Sequence, residues 1–163
     1  MKIDSLQTLL LDELKDLYSA EKQITKALPK MAKAATSDEL RKAFETHLKE
    51  TEGHIERLDR VFETLGKPSG GKTCQAMKGL LEEGEEIMKN AADGEVRDAA
   101  MISAAQRVEH YEMAGYGSVR TYAKQLGQKE IADLLQKTLD EEGNTDHKLT
   151  QIAMKINPQA KAA

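Results

Sequence analysis

The chain has a single cysteine, no tryptophan and only two phenylalanines among 163 residues. The lone Cys74 excludes an intrachain disulfide and any zinc site built on several thiolates, and it agrees with a reducing compartment. Three prolines leave long stretches free of helix breakers. No apolar run approaches the roughly 18 residues of a membrane span. The N-terminal leucines are followed at once by Asp12, Glu13 and Lys15, so neither a span nor a signal peptide is expected. The cytoplasm is the expected compartment. An excess of one charge is missing too: 24 basic and 28 acidic residues are interspersed, for a net charge of −4. A nucleic-acid partner is therefore not expected, since it would need a basic face or stripe.

What the chain does have is Ala, Leu, Lys, Glu, Gln and Met, the strong helix formers. Five helical segments are predicted from apolar residues recurring every three or four positions. The first covers about Ser5–Ala35, with Leu10, Leu14, Leu17, Ile24, Leu28 and Met31 in line and a kink or break expected at Pro29. The second opens at the N-cap Ser37 and ends at Gly66 and Pro68. After the loop KPSGGK, a short third helix covers about Thr73–Ala92, and Asp93-Gly94 makes a turn. The fourth covers about Glu95–Leu126. The fifth runs from Lys129 to Ile156, where Asn157-Pro158 is expected to stop it. Residues 1–157 then form one domain, and 158–163 are expected to be a frayed tail. The order long, long, short, long, long implies an all-α fold: two antiparallel hairpins in a four-helix bundle, joined by one long crossover that carries the extra helix.

The apolar stripes are interrupted by acids and histidines. Leu17 leads to Glu21 and then Ile24. Phe44 leads through His47, Glu50 and His54 to Leu58. Ala105 leads through Glu109 and Glu112 to Tyr116. Thr138 leads to Glu142, then Thr145 or Asp146, then Leu149. Steps of three or four keep these side chains on the core face. Each interruption falls near the middle of its helix, so the four meet at one level. A single Glu on such a stripe commonly turns to water, but four helices interrupted at one level do not fit that pattern. Neither Lys nor Arg falls on the stripes there. Buried like charges must then be protonated or neutralised by cations. Two divalent ions bring four positive charges, close to what five or six carboxylates need. Oxygen ligands with one or two imidazoles suit iron or manganese, with zinc possible in vitro. His47 reads as an ordinary boundary histidine, Glu13 as solvated, and the tyrosines as packing residues with one hydrogen bond each.

The stretches YSAEKQ (18–23), HLKETEGHIERL (47–58), VEHYEMAGYG (108–117) and LDEEGNTDHKL (139–149) resemble the YciF/YciE-type ferritin-like stress-protein family. The resemblance implies a rubrerythrin-like bundle, a dinuclear metal site, a homodimer and a role in bacterial stress. It carries Glu21, Glu50, Glu109, Glu112 and Glu142 onto the family's carboxylates. His54 and Asp146 take the places of the histidines that follow Glu in related proteins. The wider Glu-x-x-His pattern would put His at 53 and 145, where this chain has Gly53 and Thr145. On this expectation Glu50 and Glu142 bridge two ions. Glu21 and His54 hold one, and Glu109 or Glu112 with Asp146 hold the other. Peroxide or dioxygen would be the small oxidant, with the electron donor unspecified. The rival expectations are iron binding or storage without turnover and a metal-free structural or partner-binding bundle. DNA protection is opposed by the acidic charge, which Lys161 alone does not offset.

Overall fold

A computed structural model describes residues 2–162, and Met1 and Ala163 lie outside the described residues. Five helices follow in order: α1 (Leu6–Ala34), α2 (Asp38–Leu65), α3 (Gln75–Asn90), α4 (Glu95–Gln125) and α5 (Lys129–Ala162). No strand occurs among the described residues. α1 packs on α2 and α4, and α5 packs on α2 and α4. The pairs α1/α5 and α2/α4 therefore stand on the diagonals of a four-helix bundle. α3 lies outside this square, against α1 and α4.

The core divides into two apolar clusters, which give the helix directions. One holds Leu10, Leu14 and Leu17 from the start of α1, Leu58 and Phe62 from the end of α2, Val119 and Ala123 from the end of α4, and Ile131 and Leu135 from the start of α5. The other holds the opposite halves, including Ile24, Leu40, Phe44, Met101, Ile102 and Ile152. α1 and α5 thus run one way and α2 and α4 the other. Because α2 and α4 are parallel, the chain must travel back along the bundle between them, and the 66–74 loop with α3 does so. The fold is the expected ferritin-like bundle with one long crossover and an additional short helix.

The ends of the elements follow from local chemistry. Ser5 caps α1, its hydroxyl accepting from the Thr8 N–H while Thr8 reaches back to the Ser5 N–H. Ser37 caps α2 by accepting from the Leu40 N–H. Gly66 ends α2 in the left-handed region at φ 61°, where a side chain would be strained. The short α1–α2 turn is tied from outside the hairpin. The fully buried Asp98 of α4 accepts from the N–H of Thr36 at 2.9 Å and of Ser37 at 2.7 Å.

The prolines do not interrupt the helices. α1 continues through Pro29 without a break. α5 continues through Pro158 to Ala162, so the helix does not stop at Ile156 as expected. Both prolines sit on exposed faces. Pro158 removes the N–H that would bond the Met154 carbonyl, but it does so near the end of α5 and beside the exposed Met154, where one lost helix bond disturbs no core packing.

The Asp98 tie has a measurable consequence. Hydrogen bonds to a charged group contribute about 1.5–3 kcal/mol each, less where water can replace them. Asp98→Ala is expected to lower unfolding free energy by about 2–3 kcal/mol in urea melts, with Asp98→Asn in between.

Candidate metal centre

Between the two apolar clusters lies a buried polar layer: Glu21, His47, Thr51, His54, Glu109, Glu112, Thr138 and Glu142. Each long helix supplies at least one member, from near its midpoint. The inward lines explain why. α2 presents Phe44, His47, Thr51, His54 and Leu58 in steps of three and four. α4 presents Ala105, Glu109, Glu112, Tyr116 and Val119 in the same rhythm, and all ten are buried. A seven-residue alternation of this kind holds one face of a helix toward its neighbours along its length.

The two histidines organise the layer. His54 Nδ1 lies 3.2 Å from Glu21 Oε1 and 3.0 Å from Glu142 Oε1. His47 Nε2 lies 3.1 Å from Glu109 Oε1 and 3.9 Å from Glu142 Oε2. Glu142 therefore turns one oxygen to each imidazole. Two ligand groups result, Glu21 with His54 and Glu142, and His47 with Glu109, Glu112 and Glu142; they share Glu142.

The other ring nitrogens face outward. His54 Nε2 lies 2.9 Å from Glu141 Oε2. Both Glu141 oxygens accept from the Arg57 guanidinium at 2.7 Å. Arg57 also donates to the Thr138 hydroxyl at 3.1 Å. Burial would raise the Glu141 carboxyl, but Arg57 outweighs it and holds the group below its usual range. An ionised Glu141 can only accept, so it fixes the proton of His54 on Nε2 and leaves Nδ1 pointing inward. His47 Nδ1 faces Glu50 Oε2 at 3.5 Å and the Thr145 hydroxyl at 3.3 Å. Glu50 faces His47 from farther off than Glu141 faces His54, no guanidinium among the described residues holds it, and the Thr145 hydroxyl is also placed to orient the His47 ring. The Tyr116 hydroxyl donates to Glu21 Oε1 at 2.5 Å.

The layer has more acceptors than donors. Glu21 Oε2, Glu109 Oε2, both oxygens of Glu112 and both of Glu142 are buried with no hydrogen-bond partner. His47 Nε2 and His54 Nδ1, although close to carboxylates, are not aligned for a hydrogen bond to them. Orphaned buried carboxylate oxygens are costly, and a cation is the partner that such a donor set fits. Four buried carboxylates carry four negative charges, which two divalent ions balance.

Protons are the only other counter-charge. Burial pushes the carboxyls of Glu21 and Glu112 up, and for Glu112 the charges of Glu142, Glu21 and Glu109 push in the same direction. Burial pushes Glu142 up to about 7. At His54 burial acts downward, but Glu142 and Glu21 outweigh it and hold the imidazole up to about 10. His47 is raised in the same way, with Glu109 overcoming the effect of burial.

The structure brings together Glu21, His54, Glu109, Glu112 and Glu142. It departs from expectation at three residues. His47 is a fully enclosed member of the layer, not a boundary histidine. Glu50 is 36% exposed at the rim, one position off the inward line of α2, and does not lie between the histidines as a bridge. Asp146 is one position off the inward line of α5. Its Oδ1 accepts from Gln106 at 3.2 Å and faces the exposed His110 at 3.3 Å. Thr145, the other candidate at that step, is the inward one. Glu141 was missed because it lies beside the stripe, and only its adjacency to Glu142 could have drawn attention to it.

The chain is similar to known proteins over nearly its whole length. The family model described as "Domain of unknown function (DUF892)" matches residues 5–162. Protein YciF of Escherichia coli (strain K12) is 46% identical over 162 residues, 98% of each chain. The crystal structure of that E. coli stress protein superposes with a TM-score of 0.92 over 96% of this chain and 99% of that one. YcfI of Rhodopseudomonas palustris is 45% identical, with a TM-score of 0.89 over 91% of this chain and 95% of that one. A ferritin-like, diiron-carboxylate protein from Bacillus anthracis str. Ames matches at 18% identity and a TM-score of 0.72, over 93% and 99% of the two chains. At that identity the likeness is one of fold. No helix among the described residues is long and apolar enough to cross a membrane.

The raised carboxyl predicts a pH dependence. Glu142 is protonated in the folded chain up to about pH 7 but ionises near 4.5 when unfolded. The folded state then holds more protons than the unfolded one, and its contribution to stability falls as pH rises from about 4.5 to 7. In chelator-treated protein, Glu142→Gln is expected to gain melting temperature over wild type across that window. A difference that stays flat with pH would contradict the assignment.

Proposed function

This chain belongs to the DUF892 family, and we propose that it is a carboxylate-bridged two-metal protein that binds iron or manganese and acts on peroxide or dioxygen. The observation that carries the reading is Glu142, a fully buried carboxylate with one oxygen toward His54 and the other toward His47. Glu21 and His54 would hold one ion, His47 and Glu109 the other, with Glu142 common to both. Glu112, whose two oxygens are unpartnered, would join His47 and Glu109 around the second ion. Two adjacent redox-active ions would supply the electron pair that reduces a small oxidant.

The chain's own residues support that chemistry. Glu141, held by Arg57, keeps the Nδ1 of His54 turned inward. Tyr116 occupies one oxygen of Glu21 and leaves the other free to coordinate. The apolar clusters on both sides exclude bulk water. Because His47, His54 and Glu142 hold protons when no cation is present, binding must release them, and affinity should rise with pH.

A role in bacterial stress comes from the description of the E. coli relative and is part of the proposal. So are the cytoplasmic setting and the homodimer. The dimer would appear in light scattering as twice the 18.1 kDa of one chain.

Elemental analysis after loading with iron(II) or manganese(II) tests the reading. Wild type is expected to retain two ions per chain and to consume peroxide faster than chelator-treated protein. Glu142→Ala should lose at least one ion. Bound metal without faster peroxide consumption would reduce the protein to a metal binder, and a folded wild type that retains no metal would refute the reading. Glu141→Gln frees the His54 ring, and metal affinity should then fall about 10–100-fold in competition titrations with a chromophoric chelator.

A further inference from the structure

We infer, building on the two-metal reading above, that the gap between α2 and α5 beside Glu50 is the port through which divalent cations reach the centre, and that Glu50 handles them in passage instead of holding them at rest. Passage along the bundle axis is closed. Above and below the polar layer stand fully buried apolar residues, among them Leu14, Leu17, Leu58 and Leu135 on one side and Ile24, Phe44, Ile102 and Ile152 on the other. A hydrated cation does not cross such layers.

The flanks differ. α3 covers the α1/α4 side, where α1 and α4 also approach closely: a methyl added at Gly115 would meet Leu17 Cδ2 at 2.7 Å. On the α4/α5 side Gln106 bridges to Asp146 and Thr150. Between α1 and α2 a cavity is bordered by Leu28, Pro29, Phe44 and Leu48, and it touches no member of the centre.

The α2/α5 side has two halves. Over His54 it is shut by the two-bonded Arg57–Glu141 pair, and the guanidinium there would repel an incoming cation. Over His47 it is open. A cavity of about 80 Å³ reaches from Asn144 and Lys148 at the surface to His47 and Glu109 inside. Its inner wall carries His47 and Glu109, each of which has an unpartnered buried atom. Glu50 stands between surface and interior. Its carboxylate is 36% exposed, 3.5 Å from His47 Nδ1 and 3.3 Å from the Thr145 hydroxyl.

That placement suits stepwise dehydration. Removing a divalent ion's whole water shell at once is prohibitive, whereas exchanging waters one at a time for carboxylate oxygens is not. Glu50 can take an ion that still carries most of its water and pass it to His47 and Glu109. A group that acts only in passage speeds entry and exit alike and leaves the equilibrium nearly unchanged. A resident ligand behaves differently, because its loss makes release faster.

Cobalt(II) uptake into chelator-stripped, full-length protein, followed by stopped-flow visible absorption, separates these roles. Glu50→Gln is expected to slow uptake by about tenfold, the scale of local electrostatic guidance. It should slow extraction by EDTA by a similar factor, while the end point stays at two ions. Lys148→Glu, which reverses the charge at the mouth, should speed uptake several-fold. Unchanged uptake in both variants would overturn the port. An end point below two ions, or faster extraction from Glu50→Gln, would overturn the passage role and make Glu50 a ligand. A wild type that takes up no cobalt would defeat the two-metal reading itself, and the port with it.

Discussion

Four carboxylates, Glu21, Glu109, Glu112 and Glu142, share one buried level, and their mutual repulsion is the constraint that the rest of the structure answers. Taking one such ion out of water costs several kcal/mol even after relaxation, and neighbours of like sign add to the cost. Among the described residues no Lys or Arg forms an ion pair with any of the four, and Arg57 is turned outward to Glu141. What stands among the carboxylates is two imidazoles, each with one nitrogen aimed at Glu142. Such a layer is stable only with protons or metal ions in it. Its imidazole and carboxylate donors suit first-row transition metals.

The fold keeps this layer at one height. Two antiparallel hairpins put helix midpoints side by side, and the crossover through α3 lets α2 and α4 run parallel across the diagonal. The tie from Asp98 to the α1–α2 turn couples one hairpin to the other near the end of the bundle. The apolar clusters on either side hold the layer between them and keep water from replacing the missing partners. Contacts outside the layer then set direction: Arg57 holds Glu141, Glu141 fixes the proton of His54, and Tyr116 occupies one oxygen of Glu21. The centre is closed on the His54 side and accessible on the His47 side, and that asymmetry gives its two halves different relations to solvent.

Much of this was legible in the chain itself. Helix number, crossover and polar layer follow from apolar spacing and from interruptions at mid-helix. The placements of Glu50 and Asp146 went astray for one physical reason. A stripe read with steps of three or four leaves a one-residue ambiguity, which is about 100° around a helix. On α2 the line through Glu50 and the line through Thr51 both satisfy it and both include His47, and only the stricter alternation 44, 47, 51, 54, 58 selects Thr51. On α5 the same alternation selects Thr145 over Asp146. Glu141 was invisible to the pattern, because its role depends on Arg57 across the α2–α5 interface. Pro158 misled for another reason: it lies on an exposed face near the end of α5, where the helix can lose one bond without disturbing the core.

Anomalous diffraction from crystals grown with iron(II) or manganese(II) tests the central claim most directly. The account predicts two strong peaks per chain at the absorption edge of the added metal, one among Glu21, His54 and Glu142 and one among His47, Glu109, Glu112 and Glu142. An ordered bundle with ordinary water in both positions would contradict it.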